Sequence, residues 1–221
     1  MPAALQRFLR ENRNLLLFLC LMAVFRSSFA DWNDVPTTSM DPSIRAGDLI
    51  VVDKLAYDLR LPLLGTTVWR LGEPERGDIV VFDSAAAGLR LVKRVIGLPG
   101  DTVVLRDNRL YINGEAVAYD PVSGDVQLAI EALGGRRHYV RSKGQAHRLD
   151  SFGPVTVPPD HYLVLGDNRD DSADSRVYGL VPRRELVGRA TRVVFSLDRQ
   201  AGWRPRGDRF FHRLDTLPDD A

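Results

Sequence analysis

Lysine is scarce in this chain of 221 residues: only Lys54, Lys93 and Lys143 occur, against 27 arginines. Cysteine is scarcer still. The single Cys20 lies in an apolar N-terminal segment, so neither an intrachain disulfide nor a cysteine-based zinc site can form. The four histidines, His138, His147, His161 and His212, stand singly with no H-E-x-x-H pair. A Gly-x-Ser-x-Gly elbow is also lacking, so zinc-protease and α/β-hydrolase chemistry are without their parts. Glycine-rich dinucleotide and P-loop patterns are missing too, and no cofactor or metal is expected. Nor is there an excess of one charge. Thirty basic and 29 acidic residues leave a net charge of +1, which offers no basic field to nucleic acid and excludes it as an expected partner. The apolar fraction of 44% is ordinary for one main domain folded around a core.

The longest apolar run is Leu15 to Phe25, ended by Arg26. Eleven residues are too few for a hydrocarbon core that needs about 20. Extended over 14–32, with Arg26 snorkelling and Trp32 at the interface, the segment reads as a single-pass anchor. A cleaved secretory signal is the alternative, disfavoured because no small-x-small site follows the run. Arg7, Arg10 and Arg13 precede the segment while Asp31 and Asp34 follow it. The positive-inside rule then makes 1–13 a cytoplasmic tail and puts the remainder outside.

Beyond the anchor the pattern is that of strands. Leu49 to Val52, Ile79 to Phe82, Leu91 to Ile96, Thr102 to Leu105, His161 to Leu165 and Ala190 to Phe195 are short aliphatic or β-branched runs, mostly bounded by Gly-Asp, Pro-Gly-Asp or Asn-Gly. Asn113-Gly114 between two such runs predicts a hairpin with a type I′ turn. A mainly β catalytic region over 33–104 and 155–221 is expected, with the more polar stretch 105–154 as an inserted subdomain.

One of the three lysines stands out. Lys93 is embedded in Leu89-Arg90-Leu91-Val92-Lys93-Arg94-Val95-Ile96, where loss of water would let an amine shed its proton, which an arginine cannot do. A half-exposed strand with alternating charges is the plainer explanation of such a residue. A hydroxyl is the partner a neutral amine would need, and Ser39 lies between Pro36 and Pro42, which hold Thr37-Thr38-Ser39-Met40 to a defined path. A third element, Gly166-Asp167-Asn168-Arg169-Asp170-Asp171-Ser172-Ala173-Asp174-Ser175-Arg176, sets a hydroxyl among carboxylates and guanidiniums able to lock a loop. Asp174 with Arg176, and Asp167 with Arg94, are the pairings to look for.

In this order, the stretches Pro36 to Ile44, Gly47 to Tyr57, Arg76 to Phe82, Lys93 to Asp101 and Gly166 to Arg176 resemble the bacterial type I signal peptidase (leader peptidase) family, membrane-bound Ser/Lys endopeptidases. The resemblance runs from about Arg26 to Ser196 and implies Ser39 as nucleophile, Lys93 as general base and Ser172 as the hydroxyl that orients the lysine. It implies the Ser39 N–H and the Thr37 hydroxyl as oxyanion donors, although the family often has serine at the Thr37 position and glycine at the Thr38 position. Val35, Met40, Ile44, Leu91 and Val92 match its substrate-pocket positions, and Arg94, Asp167, Asp174 and Arg176 its supporting residues. The implied fold is two antiparallel β-sheets with an apolar surface against the bilayer. Preprotein signal peptides, the lipid bilayer and the protein-export machinery are the implied partners, and the bacterial cytoplasmic membrane, with the catalytic region on its outer side, is the implied location. A conjugation-pilus processing peptidase, a self-cleaving repressor-type peptidase and a non-catalytic membrane-tethered β module are the alternatives; the anchor disfavours the second, and the retained Ser39, Lys93 and Ser172 the third.

Overall fold

The computed structural model describes residues 3–62, 64–144, 148–199, 201–215 and 217, so His147 lies outside the described residues. Two helices open the chain, α1 (Ala3–Glu11) and α2 (Arg13–Ser28), followed by strands β1 (Ala30–Asp34), β2 (Asp48–Asp53), β3 (Asp58–Arg60) and β4 (Thr67–Arg70). Next come β5 (Ile79–Ser84) and β6 (Leu89–Gly97), the strand that carries Lys93. The polar stretch then folds as β7 (Thr102–Arg106), β8 (Arg109–Ile112), β9 (Glu115–Ala116), β10 (Ala118–Pro121), β11 (Leu128–Leu133), β12 (Arg136–Arg141) and β13 (Phe152–Thr156). The chain ends with β14 (His161–Leu165), a single-turn helix α3 (Ser175–Tyr178), β15 (Val181–Pro182), the long β16 (Leu186–Asp198) and β17 (Arg204–Pro205).

These strands make four sheets rather than the expected two. The principal sheet has the order β1-β2-β16-β5-β6-β14-β15, with β17 on β16; β13-β7-β8-β9, β10-β11-β12 and β3-β4 are separate. Every pairing between named strands is antiparallel. Two small sheets form between β6 and β14 because two-residue turns with positive φ fold that stretch back on itself, Asp107-Asn108 and Asn113-Gly114 in one sheet and Gly134-Gly135 in the other. The expected limits of 105–154 fall inside β7 and β13.

Residues of β5 alternate between two cores, as the period of two requires. Ile79 and Val81 join Val35, Met40, Ile44, Ile50 and Val52 on one face, while Val80 and Phe82 join Tyr57, Val95, Tyr162 and Val164 on the other. A third cluster, including Ile96, Leu105, Leu110, Leu133 and Leu165, joins the principal sheet to the small ones.

The helix expected over 14–32 has different bounds. It stops at Ser28, and Ala30–Asp34 is instead a strand whose residues pair one for one with β2. The polar groups at the junction explain the stop: Arg26 pairs with Asp31 at 2.8 Å and stacks over Trp32, and Lys54 Nζ donates to the Arg26 carbonyl at 2.6 Å. Sixteen residues reach about 24 Å, and no helix among the described residues is long and apolar enough to cross a membrane.

Candidate active site

The segment between β1 and β2 is held at both ends and in the middle. Val35 N donates to Asp48 O at 2.9 Å, Gly47 N to Val35 O at 2.8 Å, and Ile44 N to Met40 O at 2.9 Å in a helix-like turn. Burial of Val35, Met40 and Ile44 anchors this segment in the core, which leaves Ser39 half-buried and Thr37 exposed. Strand β14 pairs with β6 only from Arg94 to Gly97, and Ser39 meets β6 just past that limit. Ser39 Oγ and Lys93 Nζ are 2.6 Å apart, and Thr37 Oγ1 is 3.4 Å from Ser39 Oγ.

Lys93 is 2% exposed and shares its face of β6 with Leu91 and Val95. The other two lysines differ from it. Lys54 lies 3.6 Å from Asp31 and the exposed Lys143 2.7 Å from Asp171, whereas Lys93 forms no ion pair among the described residues. Burial pushes its amine down to about 8; Asp174 and Asp167 oppose that shift, and Arg176 adds to it. The opposition is weak because each carboxylate is already committed to a guanidinium. Asp167 accepts from Arg94 at 2.8 and 2.7 Å, and Asp174 from Arg176 at 2.8 and 2.7 Å. Burial alone would raise both carboxyls, but these arginines hold them below the usual range.

The loop from Gly166 to Arg176 braces the serine. Asn168 N donates to Ser39 O and Asn168 Nδ2 to Thr38 O, each at 3.1 Å. Asp174 Oδ2 accepts from Gly166 N at 3.0 Å, and Arg176 donates to Arg169 O at 2.6 Å. Ser172 is buried in this wall, but its hydroxyl makes no hydrogen bond, so the expected bond to Lys93 is not formed in this state. Gly166 is required by space: a Cβ there would collide with the Ser39 carbonyl and the Ser172 side chain. Gly166→Ala is therefore expected to displace Ser39 and lower kcat/KM by about 100-fold. Wild-type turnover by that variant would contradict the close packing.

Sequence reasoning missed the support beneath the loop. Glu131 on β11 and Arg169 are both fully buried, and Arg169 Nη2 donates to both carboxylate oxygens at 2.8 and 2.7 Å, with the Tyr119 hydroxyl also donating to Glu131. Burial alone would raise the Glu131 carboxyl; Arg169, His138 and Tyr119 together outweigh it and keep the group ionised. His138 on β12 lies between the two acids, 3.2 Å from Glu131 and 3.9 Å from Asp167, and burial pushes its ring below the usual histidine range. The available signal was an acid in the middle of the apolar run Leu128-Ala129-Ile130-Glu131-Ala132-Leu133.

Of the expected pocket residues, Val35, Met40, Ile44 and Val92 come together in one cluster. Ile44 is wholly inside it, with no surface to offer, and therefore packs the core. Leu91 points to the opposite face, where with Phe82, Ser84, Val164, Tyr178 and Glu185 it lines a cavity of about 200 Å³. A half-buried hydroxyl 2.6 Å from a dehydrated amine can lose its proton to that amine and become a nucleophile.

Comparison with known proteins agrees with this chemistry. Residues 9–195 match the family described as signal peptidase, peptidase S26. Signal peptidase I of Pseudomonas aeruginosa is 37% identical over 219 residues, covering 88% of this chain and 77% of the relative. The Bacillus licheniformis signal peptidase I is 39% identical over 165 residues, covering 74% of this chain and 76% of that one. A signal peptidase I crystal structure from Enterococcus faecalis is 34% identical, covers 53% of this chain and 96% of that one, and has a TM-score of 0.36. With 37% identity to such a peptidase over most of both chains, and a family match spanning the serine, the lysine and the bracing loop, this chain belongs to the peptidase S26 signal peptidase family.

Proposed function

We infer that the chain is a serine endopeptidase that cleaves signal peptides from exported preproteins, with Ser39 as nucleophile and Lys93 as general base. The observation that carries the reading is the 2.6 Å approach of Ser39 Oγ to an amine that is 2% exposed and has no ion-pair partner among the described residues. In the neutral form, Lys93 accepts the Ser39 proton as the oxygen attacks the scissile carbonyl. The Ser39 N–H and the Thr37 hydroxyl hold the developing oxyanion; protonated Lys93 gives its proton to the leaving amine as the peptide C–N bond breaks, and, neutral again, takes a proton from the water that hydrolyses the acyl-enzyme and releases Ser39. We assign Ser172 to the protonated stage, when the lysine gains a donor that the unpaired buried hydroxyl can accept. Arg94, Asp167, Asp174 and Arg176 keep the groups in place without reacting.

We assign the N-terminal segment to anchorage in the bacterial cytoplasmic membrane, with the catalytic region on the outer side. Support comes from α2, where Leu15, Leu17, Phe18, Leu19, Leu21 and Phe25 are exposed around the helix. Its shortfall against a core of about 30 Å is met by local thinning of the bilayer and the snorkelling of Arg10 and Arg13. The strands 105–154 serve as an insertion that braces the catalytic loop through Glu131.

The test is cleavage of a preprotein by the full chain in detergent. Substrates with alanine at the first and third positions before the cut are expected to yield one product terminus by mass. A bulky residue at the first position should block cleavage, because Val35 and Met40, which flank the serine segment, are buried in a packed cluster that leaves little room beside Ser39. With a base near pH 8, kcat/KM should rise about tenfold per pH unit below that value and level off above it, since only the unprotonated amine can accept the serine proton. An acid optimum would point to carboxylate chemistry instead.

A further inference from the structure

Pro42 and Ser43, in the turn that follows Ser39, form one wall of a cavity of about 210 Å³ that the chemistry does not use. Arg45, Arg141, Arg209, Arg213, His138 and His212 also line it, and no aspartate or glutamate does among the described residues. These side chains converge from three separate parts of the chain. Arg45 precedes β2, His138 and Arg141 belong to β12, and Arg209, His212 and Arg213 belong to the segment after β17. Leu128, Leu214 and Leu217 complete the lining and lower the local dielectric, which strengthens any charge-assisted hydrogen bond made inside.

Each of the four arginines has a carboxylate partner, yet none of those carboxylates lines the cavity and none uses up its guanidinium. Arg141 Nε lies 3.1 Å from Asp41 and Arg45 Nη1 3.6 Å from Asp208. Arg213 gives Nε and Nη2 to Asp215 at 3.0 and 2.8 Å, and the buried Arg209 gives Nε to Asp48 at 3.0 Å and Nη2 to Ser43 O at 2.9 Å. Of the five donors on each guanidinium, those on Nη1 of Arg209 and Arg213 make no hydrogen bond among the described residues. His138 is 5% exposed, and its Nδ1 has no hydrogen-bond partner among them either. The field inside is positive. Burial, reinforced by Arg209, holds the His212 ring below the usual histidine range, and burial with Arg94 does the same to His138.

We propose that this cavity binds a tetrahedral oxyanion, a phosphate group either free or as a small ester, and that the bound anion clamps the segment after β17 to the turn that follows the serine. Donors arriving from three directions suit a tetrahedral ion, whereas a planar carboxylate is matched by the fork of a single guanidinium. The clamp has a definite object. The segment after β17 is tied to β16 by Val193 N, which donates to His212 O at 2.8 Å, and by Leu214 N, which donates to Thr191 O at 3.1 Å. An anion shared by Arg213 of that segment, Arg45 of the turn and Arg141 of β12 would join all three. The proposal does not depend on the peptidase reading.

The test is calorimetric titration of the full chain in detergent with inorganic phosphate and, separately, glycerol 3-phosphate, at constant ionic strength. One-to-one binding with a Kd below about 1 mM is expected. At ten times Kd the Tm should rise by about 4 °C, and amide exchange should slow over residues 209–214. The tighter of the two ligands tells whether the cavity takes the free ion or an ester. Arg45→Gln/Arg213→Gln changes two exposed side chains, so its Tm without phosphate should match the wild type, while its affinity should fall about tenfold or more. His212→Gln is the second variant, with a smaller loss of affinity expected. Absence of saturation by about 10 mM of either ligand would overturn the proposal. An equal rise in Tm with chloride would reduce the effect to screening and overturn it too. Undiminished binding by the double variant, or slowed exchange confined to other segments, would move the anion elsewhere. Acetate bound as tightly as phosphate would sink the tetrahedral assignment.

Discussion

Lys93→Arg is expected to abolish turnover, with kcat/KM lower by about 10³-fold or more, the same loss as Lys93→Ala and Ser39→Ala. Charge and hydrogen-bonding capacity survive the change to arginine, but a guanidinium cannot give up its proton and so cannot take one from Ser39. Lys93→Met separates catalysis from stability. The folded chain holds the lysine's proton less tightly than the unfolded chain, with an affinity shifted from 10.5 to about 8. Below pH 8 that difference costs roughly 3 kcal/mol of stability, and the cost fades as pH rises from 8 towards 10.5. Methionine removes the cost, so Lys93→Met should be inactive yet more stable than the wild type at pH 7, by denaturant titration. Substantial cleavage by Lys93→Arg would refute the base assignment.

Asp167→Ala is expected to cost about 3–5 kcal/mol, because it leaves the Arg94 guanidinium, 3% exposed, without its carboxylate. For a chain of this length that corresponds to a fall in Tm of about 10 °C. Replacing both partners with apolar residues should recover only part of the loss, since Arg94 also donates to Gly77 O at 2.8 Å. Activity should fall further than stability alone accounts for: Asp167 precedes Asn168, the residue that holds the Ser39 carbonyl. A Tm within 2 °C of wild type, a shift worth less than about 1 kcal/mol, would show that water reaches the pair.

Much of the site could be read from the chain because its chemistry is local in sequence. A lysine in a run of aliphatic residues, a serine held between prolines and a loop alternating acids with arginines each state their character within about ten residues. What could not be read is how these segments lean on one another. Glu131 and Arg169 belong to different sheets and loops, and no spacing connects them. Ser172 was expected against the lysine, yet a hydroxyl's direction depends on χ1 and on which partner is charged, neither of which is written in residue types. The end of α2 was misplaced for a related reason. Ser27 to Trp32 has the composition of a membrane interface, and only the ladder with β2 makes it a strand. Mainly β character followed from the turn residues, whereas the division into four sheets depends on long-range pairing.

The order of strands across the principal sheet dictates when that sheet can close. One half, β1 and β2, carries the serine's flanks; the other, β5 and β6, carries the lysine; only β16 touches both. Because β16 follows all four of these strands in sequence, the two halves cannot be joined edge to edge until that late strand is made.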